Sequence, residues 1–171
     1  IWRQYIGATG SDTYMKKIKA AGDGGFYVFG GTGSNFYLLK FNSSGELEWE
    51  QTYGDSSENG PEDFAILSDG SIVMVGVSSI NNFRQLLLIK TDPSGSIEFQ
   101  KLIGEEGTIT EGRAITNTSD GSFLVLNQYT AQATAGWYPK PQLIKFSSSG
   151  EIEWSNYYYF ISEAQVYEKP I

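Results

Sequence analysis

Apolar residues in this chain fall in short runs separated by turn signals. Phe26 to Phe29, Ile72 to Val75 and Phe123 to Leu126 are almost continuously apolar, and so are Phe36 to Phe41, Leu86 to Ile89 and Leu143 to Phe146. A strand apolar at successive positions has both faces covered. Before each pair of runs stands a weaker segment, Tyr14 to Ile18, Phe64 to Leu67 and Ala114 to Asn117, which predicts a short first strand. After each pair the pattern alternates: Leu47, Trp49, Gln51 and Tyr53 are set on one face, and Glu48, Glu50 and Thr52 on the other. That is the signature of an outer strand with one wet side. Asp-Gly at Asp23, Asp69 and Asp120, and Ser-Ser-Gly or Pro-Ser-Gly further on, join the strands. Glycine makes such turns tight because it adopts positive φ without a steric penalty. Each unit therefore reads as a four-stranded antiparallel meander.

The units repeat. Lys40-Phe41-Asn42-Ser43-Ser44-Gly45-Glu46-Leu47-Glu48-Trp49 is matched by Lys90-Thr91-Asp92-Pro93-Ser94-Gly95-Ser96-Ile97-Glu98-Phe99. It is matched again by Lys145-Phe146-Ser147-Ser148-Ser149-Gly150-Glu151-Ile152-Glu153-Trp154. With Trp2 at the head of the series, the aromatic recurs about every fifty residues, a period that signals stacked or circular repeats. A meander covered on both faces needs copies of itself as neighbours, and four-stranded units at this spacing point to propeller blades. The stretches Asn42-x-x-Gly45-x-x-x-Trp49, Asp92-x-x-Gly95-x-x-x-Phe99 and Ser147-x-x-Gly150-x-x-x-Trp154 resemble the tryptophan-docking signature of pyrroloquinoline-quinone-type propeller repeats. The whole unit is still more similar to the β-propeller repeats of secreted and surface-anchored bacterial and archaeal proteins. The resemblance runs from Trp2 to about Tyr159 and implies an all-β, β-propeller-type array of about three four-stranded blades. It further implies that Trp49, Phe99 and Trp154 dock between neighbouring blades. It is weaker where Phe99 replaces Trp, Ser147 replaces Asp or Asn, and Tyr159 replaces the glycine after the aromatic.

The boundaries follow from the aromatics: an outer strand over 1–8, blades over about 9–54, 55–104 and 105–160, and a tail over 161–171. Closed propellers typically take about four or more blades. The chain is thus expected to be part of a longer propeller, half of a ring completed by a second copy, or an open arc, and its start inside a repeat at Trp2 favours the first. Tyr157-Tyr158-Tyr159-Phe160 is expected either to end the array or to meet a partner.

Composition narrows the function. The chain has 171 residues, 12 Lys and Arg against 20 Asp and Glu, and a net charge of −8. That balance argues against a phosphate-tracking groove and hence against nucleic acid as partner. With no Cys and no His, disulfides, thiolate nucleophiles, Cys- or His-ligated metals and histidine bases are all missing. No cofactor is expected, and no apolar run is long enough for a membrane-spanning helix. Paired carboxylates exist at Glu48 and Glu50, Glu62 and Asp63, Glu105 and Glu106, and Glu151 and Glu153. Glycoside chemistry needs two such groups facing one cleft, whereas turn and outer-face carboxylates are solvated. Asp23, Asp69 and Asp120 recur with the repeat, which marks turn-makers, and Lys16-Lys17-x-Lys19 reads as a solvated basic face.

The one large departure from the repeat is the connection from Gln128 to Pro141, expected to be a long loop, where the first unit needs only Gly30 to Asn35. It carries Tyr129, Trp137, Tyr138 and Lys140, aromatic and cationic groups suited to stacking on a sugar or filling a partner's pocket. The expected function is a non-enzymatic binding or scaffold module, at the cell surface, secreted or periplasmic, that engages a protein or glycan through these residues. A self-assembling structural array and a propeller-borne glycoside-processing enzyme are the alternatives.

Overall fold

The structure, a computed structural model, describes residues 12–54, 58–80, 83–105, 107–133 and 136–158, with the backbone alone described over 132–133 and 136–138. The expected outer strand over 1–8 and tail over 161–171 lie outside the described residues. Among the described residues, twelve strands form three four-stranded antiparallel sheets, each in simple chain order. The first comprises β1 (Thr13–Ala20), β2 (Phe26–Thr32), β3 (Asn35–Phe41) and β4 (Leu47–Tyr53). The second comprises β5 (Glu58–Ile66), β6 (Ile72–Ile80), β7 (Phe83–Thr91) and β8 (Ile97–Ile103), and the third β9 (Thr108–Asn117), β10 (Phe123–Ala133), β11 (Gly136–Phe146) and β12 (Ile152–Tyr157). The fold is thus all-β, with three blades in a propeller-like arrangement. The sheets fall inside the three blade ranges read from the repeats.

The continuously apolar strands owe their composition to being the middle of a sandwich on both sides. In β6, Ile72 and Met74 point upstream and pack with Phe64, Leu87 and Ile89 against Tyr27, Phe29, Phe36, Leu38, Trp49 and Tyr53 of the first sheet. The intervening Val73 and Val75 point downstream and pack with Leu86, Leu88 and Phe99 against Ile115, Phe123, Val125, Ile144 and Phe146 of the third. Phe29, Phe36, Phe64, Phe123 and Phe146 are fully buried, each contributing roughly 1.5–3 kcal/mol of transfer free energy.

Two of the three expected aromatic docks are present. A Cβ placed on Gly95 would lie 3.2 Å from Cη2 and Cζ3 of Trp49, and one on Gly150 would overlap the Phe99 ring. Only a residue without a side chain lets the ring of one blade lie on the turn of the next, and both glycines also have positive φ, +88° and +76°. The Tyr53 hydroxyl completes the first dock by donating to the Gly95 carbonyl at 2.9 Å. Trp154, the third aromatic, is 39% exposed.

The outer strand departs from strict alternation. Register shifts leave Glu48, Glu98 and Glu153 as bulge residues opposite Lys40, Lys90 and Lys145. As a result Leu47 pairs with Phe41 and packs upstream, while Trp49 pairs with Lys40 and packs downstream. The expectation that Leu47 and Trp49 share a face is corrected: the extra residue flips everything before it. Each bulge glutamate instead meets its lysine, at 3.0, 2.8 and 2.8 Å.

The first strands are not short. β1, β5 and β9 run 8, 9 and 10 residues, and their low apolar content reflects a polar seam rather than weakness. Each also carries a bulge, at Lys16, Glu62 and Arg113. These three side chains, one from each blade, form an alternating ladder, Lys16 to Glu62 at 2.9 Å and Glu62 to Arg113 at 3.4 Å. Buried Asp63 ties the same strands together. Its Oδ1 accepts from the Phe64 amide at 2.9 Å and lies 3.3 Å from Lys19 Nζ, while its Oδ2 accepts from the Ile115 amide at 3.2 Å. The basic cluster is therefore part of an inter-blade seam, with Lys16 and Lys19 both engaged by the second blade.

Candidate functional site

The segment expected to be a long loop is a ladder. β10 and β11 pair without interruption from Phe123 opposite Phe146 to Ala133 opposite Gly136, so Gln128 faces Pro141, Tyr129 faces Lys140 and Thr130 faces Pro139. The repeat is extended here as a β10–β11 ribbon, flanked by β9 as far as Ala131 opposite Thr108. Proline is tolerated because β12 reaches only as far as Gln142, paired with Tyr157. The Pro141 carbonyl accepts from the Tyr158 amide at 2.9 Å, which places the nitrogen of Pro141 on the side away from β10.

Of the four residues singled out on this segment, Tyr129 and Lys140 are half-buried and opposite one another on the ladder. The backbones of Trp137 and Tyr138 pair with Gln132 and Ala131, and the side chains of both lie outside the described residues.

Cavities flank the base of the ribbon on both sides. On the upstream side, between the second and third blades, is a cleft of about 270 Å³ lined by Gly104, Glu105, Thr110, Asn127, Tyr129, Gln142, Ser155 and Tyr157, among others. Its lining is mixed, with Ile103, Ile144 and Ile152 beside hydrogen-bonded polar groups. The Thr110 hydroxyl donates to the Ile103 carbonyl at 2.7 Å and accepts from the Leu86 amide at 3.1 Å, riveting β9 to the second blade. The Asn127 amide donates to Gln142 Oε1 at 2.8 Å. Asn127 is 1% exposed, and its Oδ1 is buried with no hydrogen-bond partner. An orphaned buried acceptor costs about 1–3 kcal/mol. At the side, the rings of Tyr129 and Tyr157 meet edge to face with centroids 5.0 Å apart. On the downstream side a mostly apolar groove of about 290 Å³ is lined by Arg113, Leu126, Asn127, Gln128, Pro139, Lys140 and Pro141.

Asn127 and Gln142 carry no mark in the repeat pattern. The available signal was two amides at positions where the first two blades place apolar or small residues.

Among the described residues, the paired carboxylates do not converge on one cleft. Glu48 and Glu153 brace lysines, Glu50 accepts from the Tyr37 hydroxyl, Glu62 sits in the charge ladder and Glu151 pairs with Lys101 at 2.7 Å. Glu105 lines the upstream cleft, and Glu106 lies outside the described residues. The most buried carboxylate among those described, Glu111, is held between Arg84 and Arg113.

The recurring aspartates cap turns. Oδ1 of Asp23, Asp69 and Asp120 accepts from the amide two residues on, at 2.8, 2.9 and 3.0 Å. Hydrogen bonds hold all three below the usual carboxylate range, led by Lys40 for Asp23, by Ser71 for Asp69 and by Lys145 for Asp120. In Lys40, burial pulls the ammonium down, but bonds to Asp23 and Glu48 outweigh it and the net shift is upward. Among the described residues, no group of three or more acidic side chains is placed to hold a metal ion, and no helix is long and apolar enough to cross a membrane.

No family model matches the chain, and no curated protein matches it. Among solved structures it is similar to a protein of unknown function from Bacteroides caccae, with a TM-score of 0.51 and 15% sequence identity. The likeness covers 77% of this chain and 40% of that one, and it concerns the fold alone.

Proposed function

We propose that this protein is a non-enzymatic binding module built from propeller-type blades, working outside the cytoplasm, and that its ligand is a glycan held at the base of the β10–β11 ribbon. The observation that carries this reading is the buried, unpartnered Oδ1 of Asn127 in a cleft of mixed lining flanked by two tyrosine rings. A sugar hydroxyl donates to such an oxygen, a second hydroxyl meets the carboxylate of Glu105, and C–H faces rest on aromatic rings. The cleft volume falls just below the roughly 300–1,000 Å³ typical of small-molecule sites, which suits one sugar ring of a longer chain. A cleft whose polar groups are already fixed by neighbouring blades loses little conformational entropy on binding.

The test is titration calorimetry of the whole chain against neutral oligosaccharides drawn from a glycan panel. A saturable heat that is lost in Asn127→Leu and weakened about tenfold in Tyr129→Ala, with melting temperature kept, supports the reading. A panel without any binder, or a binder indifferent to both substitutions, overturns it. Following the same mixtures for new reducing ends separates binding from the glycoside-processing alternative.

A further inference from the structure

The two docks between blades define what a blade offers downstream: an aromatic ring to cover a glycine turn, and groups beside it that reach the turn's carbonyl. In the first blade these are Trp49 and, four residues on, Tyr53, whose hydroxyl binds the Gly95 carbonyl at 2.9 Å. In the second they are Phe99 and Lys101, whose ammonium donates to the Gly150 carbonyl at 2.8 Å. The third blade repeats the first pair, with Trp154 followed four residues on by Tyr158. Tyr53 is 4% exposed beneath its neighbour, whereas Trp154 is 39% and Tyr158 46% exposed. Trp154 stands opposite Lys145 and Leu124 on the downstream face, where Leu126 is 40% exposed. This is a complete dock with no turn in it among the described residues.

The same chain carries a turn of the kind that fits. Asn42 to Gly45 closes with the Gly45 amide on the Asn42 carbonyl at 3.0 Å, as Gly95 does on Asp92 at 3.1 Å and Gly150 on Ser147 at 2.9 Å. Gly45 has φ +81°, beside +88° and +76° for the other two. Gly95 and Gly150 are buried under their rings, while Gly45 is only half-buried, between exposed Ser44 and Glu46.

We infer that the downstream face of the third blade docks on a second copy of this chain, with Trp154 and Tyr158 clamping the Asn42–Gly45 turn of that copy. The contact is head to tail, so it closes into a ring or extends as a chain of copies according to the angle between them. Its electrostatics are imperfect. Within the chain the inner bulge residues alternate in sign, Lys16, Glu62, Arg113, whereas the joint brings Lys16 of the second copy toward Arg113. Arg113 is already compensated by Glu62 and Glu111, so the repulsion weakens the joint without forbidding it, and salt screens it.

The experiment is sedimentation velocity of the whole chain from micromolar to millimolar concentration. The expected result is a mass that rises above 18.9 kDa with concentration and rises further at higher salt. Trp154→Ala and Tyr158→Ala, both at exposed positions that leave the fold intact, stay monomeric at concentrations at least tenfold higher. Gly45→Val removes the other half of the joint and is also monomeric. An equimolar mixture of Trp154→Ala and Gly45→Val chains restores a dimer, because each supplies the half the other lacks, and a merely misfolded variant cannot do this. A chain that is monomeric throughout, an assembly that survives Trp154→Ala, or an unrestored mixture overturns the inference.

Discussion

Gly121 and Gly150 have nearly the same backbone, φ +81° and +76°, in turns of the same blade, but they differ in what lies above them. A Cβ on Gly121 meets nothing within 4 Å, whereas one on Gly150 meets the Phe99 ring, with Cε2 at 2.8 Å and Cε1 at 3.0 Å. Gly121→Ala therefore costs only the left-handed conformation, roughly 1–2 kcal/mol. Gly150→Ala adds an overpacking term of about 1–3 kcal/mol, because the ring is pinned between blades and cannot swing clear. The sum is about 2–5 kcal/mol. Urea unfolding measures both, read as a shift in midpoint at constant slope. The cause is isolated by shrinking the ring: Phe99→Leu in the Gly150→Ala background should destabilise less than Phe99→Leu alone, a coupling of at least about 0.5 kcal/mol as expected for groups in contact. Equal costs for the two alanines, or additive behaviour of the double variant, would refute the docking of Phe99 on this turn.

Other outcomes follow from the seam and the turns. Asp63→Ala leaves the buried amides of Phe64 and Ile115 without their acceptor, at about 1–3 kcal/mol for each group; a loss below about 1 kcal/mol in the same urea assay would show that Asp63 does not hold the blades together. The turn aspartates have folded pKa values below their unfolded ones. Their contribution is therefore fully present above about pH 4, near the unfolded value, and is lost as pH falls through the folded values. Thermal melts should drop steeply below about pH 4, and Asp120→Asn should flatten that drop; an unchanged profile would remove the Lys145 brace from the account.

Much of this arrangement was legible because it rests on local chemistry repeated three times. The apolar run at Ile72 to Val75 announced a strand covered on both sides, Asp-Gly pairs announced turns, and the resemblance carried by Gly-x-x-x-Trp announced that Trp49 docks between blades, though not that it lands on Gly95. What escaped has no local signature. A bulge at Glu48 is decided by the lysine on the facing strand, and it reverses the side on which Leu47 packs. The role of Lys16 depends on Glu62, which belongs to another blade. The ribbon of β10 and β11 looked like a loop because prolines usually end strands, and its prolines are permitted only by the early end of β12. Asn127 stands where the first two blades have Gly30 and Gly76, but only its neighbours show that half of its amide is left without a partner.

Those prolines have a further effect. The outer side of β11 beyond the end of β12 is an open edge, and open edges recruit strands from other molecules. Along the outer side of β11 beyond Gln142, the positions that would present an N–H outward include 139 and 141, and both are proline. A visiting strand finds no donor at either proline, and the Pro141 carbonyl is already taken by the Tyr158 amide, so this stretch of the ladder it needs cannot form. The edge beside the cleft can thus stay open with less risk of becoming a template for aggregation.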